Sequence, residues 1–434
     1  MRDFLPADKA RRERLLGVIR STYRAHGFDE IETPVMEDSS RLHAGLGGDN
    51  EKLAFAVLKR GLTPDNFAAA TDALDLADLG LRFDLTVPLA RFYASHRAEL
   101  PTVFRSIQIA PVWRAERPQK GRYRQFVQCD IDIIGESGVL AEVELLAATS
   151  AALAALGLDG CTIRINDRRL LLGMLEVLGF TAAEYDQVLI TIDKLDKVGP
   201  NGVIAELRER TSTPAAVDAL DEFFARPVAE PLPFGIEGIT AALPEGVNPD
   251  VIAELASLGD AVSASRAAEA ADPAELIAAE ASISAAPAIV FDPFLVRGMG
   301  YYTGPIFEIT HPSVGYSLGG GGRYDGMIGR FLGSDVPATG FSLGFERLVD
   351  LVDLPDDAAS TSLALIYDTA ADPVVLASLK SALIADGLRV RPVRRIKNIK
   401  LLLESLVGEG FSHYAFVGAD TTDVAGLERR TLGA

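Results

Sequence analysis

The sequence predicts an α+β fold, and three observations predict it. Apolar residues partly alternate on both sides of an Arg-rich stretch, over Val103 to Ala110 and Phe126 to Gly135, as in the two arms of an antiparallel hairpin. Residues 168–286 are instead rich in Ala, Glu, Asp and Leu at helical spacing. After Pro355 the pattern changes to strand and helix in alternation. The expected organisation is a body over residues 1–355, carrying a mainly helical insertion at 168–286, and a smaller α/β domain over 356–434. A chain of 434 residues is long enough for two or three domains and a large core.

Taken in order, Asp8 to His26 reads as a helix capped by Asp8, with Leu15, Leu16, Ile19 and Tyr23 as its apolar stripe. Gly27 to Val35 then turns into a strand ending near Pro34. Leu81 to Arg91 reads as an extended run giving way to a helix near Val87, with Asp84 and Thr86 sharing one face. A carboxylate there suits an ammonium group in a cleft; a strand-end Asp also caps a helix. Next comes Trp113 to Phe126, with five cations between Arg114 and Arg124 in a chain of net charge −19. Arg offers phosphate a planar fork that never deprotonates. The interleaved Trp113, Tyr123 and Phe126, with Pro118 and Gly121, argue for a phosphate-binding hairpin loop over a merely solvated one. On its return strand Gln128, Asp130 and Asp132 share a face by period two.

Helical spacing covers Leu170–Leu178, Pro200–Glu209 and Pro273–Ala286 in the insertion. Lys194 and Lys197 beside Asp193 and Asp196 read as a solvated helix start. Beyond it, Leu295 to Glu308 carries Arg297 and the pair Tyr301 and Tyr302. Four glycines, Gly319 to Gly322, permit close backbone approach, by a pocket wall or by a flexible loop. The run Gly340-Phe341-Ser342-Leu343-Gly344-Phe345-Glu346-Arg347 follows. Residues 356–362 read as a linker. The last part predicts strands at Leu363–Tyr367, Arg389–Pro392 and Tyr414–Val417, with helices at Pro373–Asp386 and Lys397–Glu409. It carries a basic patch, Arg389, Arg391, Arg394, Arg395, Lys397 and Lys400, suited to an RNA face.

Composition sets bounds. With 48% hydrophobic and 24% charged residues the chain reads as an ordinary globular protein. No run of about 18 apolar residues predicts a membrane span. The N-terminal residues lack the apolar core of a signal peptide, and two cysteines without metal-ligand spacing fit a reducing cytoplasm. The acidic balance disfavours non-specific nucleic-acid binding while leaving room for local basic patches. No Walker run or dinucleotide fingerprint is present, so a nucleotide would be held without a P-loop.

These runs resemble the histidyl-tRNA synthetases, a family of class II aminoacyl-tRNA synthetases. Residues 114–126 are similar to motif 2, the helix and strand ending at Pro34 to motif 1, and 340–347 to motif 3. Arg297 to Tyr302 is similar to the signature of the histidine-specific members. The resemblance covers nearly the whole chain. It implies a class II antiparallel sheet flanked by helices, and a C-terminal α/β anticodon-binding domain. It further implies that Arg114 and Arg297 are catalytic, and that Arg114, Glu116, Arg122 and Arg347 bind ATP. Histidine would be held by Asp84, Leu85, Thr86, Arg114, Gln128, Asp132, Arg297, Tyr301 and Tyr302. The implied reaction is formation of histidyl-adenylate from L-histidine and ATP with Mg²⁺, then transfer to the 3′-terminal adenosine of tRNA(His). No metal ligands are assigned, and a cytoplasmic homodimer without membrane attachment is implied.

Two residues depart from the family pattern. Asp132 stands where many members carry Glu, one methylene longer, and Gly300 where most carry Asp. The chain stops at Ala434, somewhat early for the family, which implies a last strand or helix that is missing or reduced. A non-catalytic paralogue that regulates ATP phosphoribosyltransferase typically lacks the anticodon-binding domain and the ATP-binding arginines. This chain keeps Arg114, Arg122, Arg297 and Arg347.

Overall fold

The computed structural model describes residues 1–43, 53–117, 121–226, 234–270, 286–298, 300–353 and 362–432. Residues 118–120 of the Arg-rich loop, Met299, residues 356–361 of the expected linker and nearly all of the helix expected at 273–286 lie outside them. The chain divides into two compact units, Met1–Arg2 with Leu15–Asp353, and Asp3–Arg14 with Leu354–Ala434.

The first unit is built on an eight-stranded sheet. In chain order its strands are β1 (Asp29–Glu30), β5 (Phe104–Trp113), β6 (Gln125–Ile134), β7 (Thr162–Asp167), β8 (Ala288–Phe291), β9 (Pro305–His311), β10 (Val314–Arg323) and β11 (Ala338–Gly344). In space they run β1-β5-β6-β11-β10-β9-β7-β8. The interior pairs are antiparallel and only the two edge pairs, β1/β5 and β7/β8, are parallel. A smaller antiparallel sheet joins β2 (Met36–Asp38), β4 (Ala77–Leu81) and β3 (Phe55–Leu58).

Strand alternation gives the large sheet two faces. Ile107, Ile131, Ile133, Phe307, Phe341 and Leu343 are buried, with the Phe307 and Phe341 rings stacked at 5.5 Å. Helix Leu140–Ala155 packs on β6 and β11 and buries Leu145, Leu146 and Leu153. Each such side chain contributes about 1.5–3 kcal/mol by leaving water. The alternate positions carry the chemistry. One cross-strand row runs Arg164–Glu308–Gly320–Ser342–Asp130–Gln108, and the next runs Gly322–Gly340–Asp132.

Two elements differ from expectation, and a third decides between two readings. The first helix spans Pro6–Ala25, so Asp8 lies in its first turn and Pro6 begins it. Leu81 to Thr86 is not one extended run. β4 stops at Leu81 and a helix covers Thr86–His96, its Val87 N–H bonded to Asp84 Oδ1 at 3.2 Å. The four glycines are not a loop but the end of β10, where a Cβ on Gly321 would stand 1.9 Å from the Gly340 carbonyl oxygen.

Between β7 and β8 the described residues form six helices: Arg168–Leu178, Tyr185–Ile192, Leu195–Arg210, Pro214–Phe224, Ile236–Ala242 and Pro249–Ala270. Leu195–Arg210 is kinked at Gly199, whose φ of 70° only glycine adopts readily, just before Pro200. Lys194 is bonded to Glu206 at 2.6 Å and so is not a free cation.

In the second unit β12 (Ser362–Tyr367) lies between β13 (Arg389–Arg394) and β14 (His413–Val417), parallel to both. Helices Pro373–Ala385 and Ile399–Gly408 complete the βαβαβ pattern. A short β15 (Arg430–Thr431) adds antiparallel to β14. Leu363, Leu365, Leu379 and Leu383 fill the core on one side of this sheet, and Ile366, Leu406 and Phe411 fill it on the other. Among the described residues, no helix is long and apolar enough to cross a membrane.

Candidate active site

The polar face of the large sheet opens into a cavity of about 930 Å³. Asp84, Thr86, Arg114, Glu116, Arg122, Gln128, Asp132, Arg297, Tyr301, Tyr302 and Arg347 all line it. Leu85 does not. It is fully buried, and its carbonyl accepts a hydrogen bond from Gln108 Nε2 at 3.0 Å. Asp84 both faces the cavity and caps the following helix, so the two readings of this residue hold together.

At one end stand the hairpin residues. Arg114 directly follows β5, where its Nε donates to the Phe83 carbonyl at 2.9 Å and its guanidinium lies over Phe126 at 5.1 Å. Burial pushes its pKa below the usual Arg value, which leaves an arginine charged at any ordinary pH. Arg347, in the helix after β11, donates to the Gly121 carbonyl at 2.9 Å and to the Ser317 carbonyl at 2.6 Å. Burial, then the neighbouring Arg122, Arg114 and Arg297, lower its pKa as well. Cations crowded against one another are under-neutralised until an anion arrives. Such an end is built for a polyphosphate.

The floor is acidic. Asp132 accepts a hydrogen bond from the Tyr324 hydroxyl at 2.6 Å. Burial raises its pKa to about 7, with Tyr324 opposing the shift and Asp84 adding to it. Asp130 is raised more strongly, by burial first and Asp132 next. Gln128 Nε2 donates to Ser342 Oγ at 3.0 Å. The rings of Tyr301 and Tyr302 lie 4.8 Å apart, and Tyr301 meets Tyr324 edge-on at 6.1 Å. This end offers carboxylate acceptors within an aromatic wall, a place for a small cationic or N–H-bearing group.

Arg297 neighbours both groups, its charge acting on Tyr302 and on Arg347. Its Nη1 donates to Glu308 Oε2 at 2.7 Å, while its buried Nε has no hydrogen-bond partner among the described residues. Gly320 makes room for it, since a Cβ there would stand 2.7 Å from the Arg297 Cζ.

Sequence reasoning gave no role to Tyr324, Ser342, Glu308 or Asp193, all of which line the cavity. Tyr324 lies two residues after the four glycines, and Ser342 lies within the run Gly340 to Arg347. Asp193 looked like a solvated helix start, and it is exposed as well as cavity-lining.

An arginine-lined cavity on a mostly antiparallel sheet, with no P-loop, is what the resemblance to the class II aminoacyl-tRNA synthetases implies. A sequence profile of the family described as histidyl-tRNA synthetase matches residues 1–348. The histidine–tRNA ligase of Leifsonia xyli subsp. xyli is 58% identical over 98% of this chain and 96% of its own. A probable histidine–tRNA ligase of Tropheryma whipplei is 42% identical over 96% of this chain and 94% of its own. The crystal structure of histidyl-tRNA synthetase from Nostoc sp. PCC 7120 shares the fold, with a TM-score of 0.74 at 24% identity, over 99% of this chain and 93% of that one. The chain belongs to the histidyl-tRNA synthetase family.

Proposed function

We propose that this cavity carries out both steps of histidine–tRNA ligation, the activity of the family, with the acidic floor holding histidine and the arginine end holding ATP. The observation that carries the reading is Arg297, which lines the same cavity as the buried Asp132 and the phosphate-suited Arg114, Arg122 and Arg347.

Histidine enters with its α-ammonium at Asp84 and Gln128, its ring N–H at Asp132, and Tyr301 and Tyr302 as the pocket wall. ATP lies along Arg114, Glu116, Arg122 and Arg347. A histidine carboxylate oxygen attacks the α-phosphorus, the P–O bond to the leaving group breaks, and pyrophosphate departs. Arg114 and Arg297 neutralise the charge that develops on the phosphoryl oxygens. The 3′-terminal ribose hydroxyl of tRNA then attacks the adenylate carbonyl carbon and expels AMP. A phosphate oxygen takes the hydroxyl proton, so no side-chain base is required.

Mg²⁺ enters in this reading on the nucleotide. The described residues contain no group of three His, Cys, Asp or Glu that would cage a metal by themselves. Glu116, 3.9 Å from Arg122, is a cavity carboxylate that would help hold the ion on the nucleotide.

The reading places the catalytic domain over 1–355, with the helical segment 168–286 inserted in it, and anticodon binding over 356–434. In support of the latter, Arg395 lies over the exposed Phe416 ring at 5.5 Å. Cation and ring together suit unstacked RNA bases. A cytoplasmic homodimer formed through the motif 1 segment is part of the same reading, supported by the exposed Val35 and Met36 beside it. Histidine-dependent ATP–pyrophosphate exchange that disappears in Arg114→Ala is the expected test result; exchange that survives removes Arg114 from the chemistry.

A further inference from the structure

Glu308 on β9 is the register partner of Arg164 on β7 and of Gly320 on β10. Its two oxygens are used differently. Oε2 accepts from Arg297 Nη1 at 2.7 Å, and Oε1 faces Arg164 Nη1 at 3.8 Å. Arg164 is itself held by Asp292 and, at 2.7 Å, by Asp196 Oδ2. These side chains line a continuous wall of the cavity, save Asp292. A carboxylate bonded to a catalytic arginine lowers its net charge, so charge alone does not account for it. Orientation does. Because Gly320 has no Cβ, the Arg297 guanidinium can lie against β10, where a Cβ would stand 2.7 Å from its Cζ, and the bond to Glu308 fixes the direction in which it points.

We propose that Glu308 is a positioning residue for adenylate formation, holding Arg297 at the reacting phosphate while Arg164 holds Glu308. This rests on the reading of Arg297 given above. Gly300 strengthens the case, because the residue three positions after Arg297 supplies no carboxylate of its own, and Glu308 makes the hydrogen bond that holds Arg297.

The test is ATP–pyrophosphate exchange by the full chain, with kcat and both KM values measured separately. Glu308→Ala should lower kcat about 10- to 100-fold, the usual result of misplacing a catalytic group by an ångström. The KM for histidine should stay close to that of the unaltered chain, as for an interaction realised in the transition state. Glu308→Gln, which keeps an acceptor, should recover part of the loss, and Arg164→Met should show a smaller loss in the same direction. On an Arg297→Lys background the Glu308→Ala loss should shrink, because the two act as one unit. A merely structural glutamate would give losses that add. Full kcat in Glu308→Ala, or additive losses, overturns the proposal; if that variant does not fold, Glu308→Gln and Arg164→Met with unchanged kcat do the same. Exchange surviving in Arg297→Ala overturns the reading of Arg297, and this proposal with it. Exchange lost in Arg297→Ala but intact in Glu308→Ala overturns this proposal alone.

Discussion

The Tyr324 hydroxyl donates a 2.6 Å hydrogen bond to Asp132, joining residues 192 positions apart at the floor of the cavity. The pair gives the pocket an acceptor that is oriented before histidine arrives. Asp is shorter than the Glu common at this position, and the bond to Tyr324 fixes which of its oxygens is already engaged. A site built around a polar contact rejects analogues that leave it unpaired.

The pair predicts a pH dependence of stability. Asp132 has its folded pKa raised from 3.8 to about 7 by burial, so in the folded, ligand-free protein it is neutral below about pH 7 and a carboxylate above it. Its stabilising contribution is full below about pH 4 and is lost as pH rises to about 7. The melting temperature without ligand should fall over that window, and Asp132→Asn should flatten the fall. An unchanged slope in Asp132→Asn would contradict the assignment.

Removing the donor has a separate consequence. Tyr324→Phe should raise the KM for histidine about tenfold, the scale of a lost hydrogen bond to a charged group, and leave the KM for ATP alone. Steady-state exchange kinetics with each substrate varied in turn would show it. A matching rise for ATP would mean that the substitution disturbs the whole cavity.

Gly340 has no room for a side chain. A Cβ there would stand 1.9 Å from Asp132 Oδ1 and 3.3 Å from the Ile131 carbonyl oxygen. Gly340→Ala should therefore displace Asp132 and abolish histidine binding in calorimetry, with ATP binding retained. Normal histidine affinity in this variant would show that Asp132 is not what holds the substrate.

Gly300 is the opposite case, since a Cβ added there meets nothing within 4 Å. Gly300→Asp, which introduces the usual family residue, should fold with an unchanged melting temperature and retain exchange activity. A large loss of stability would show that the backbone at Gly300 tolerates no side chain.

Much of this was legible in the sequence because local periodicity carried it. The hairpin arms of β5 and β6 stood out by alternation, and the βαβαβ order after residue 361 by the change of period. Gln128, Asp130 and Asp132 followed from period two alone. The rest depends on register between strands far apart in the chain. Nothing near Tyr324 announces Asp132, and nothing near Glu308 announces Arg164 or Arg297, because sheet pairing makes those neighbours. The loop from Arg82 to Leu85 looked extended because its side chains alternate in polarity, but capping by Asp84 turned it into a helix start. The short β2, β3 and β15 have too few residues to show a period.

The most direct test of the account is ATP–pyrophosphate exchange with each amino acid in turn, followed by charging of bulk tRNA. The account predicts exchange with histidine alone, loss of that exchange in Arg297→Ala, and histidine-dependent charging. Histidine binding without exchange, or exchange driven by another amino acid, would contradict it.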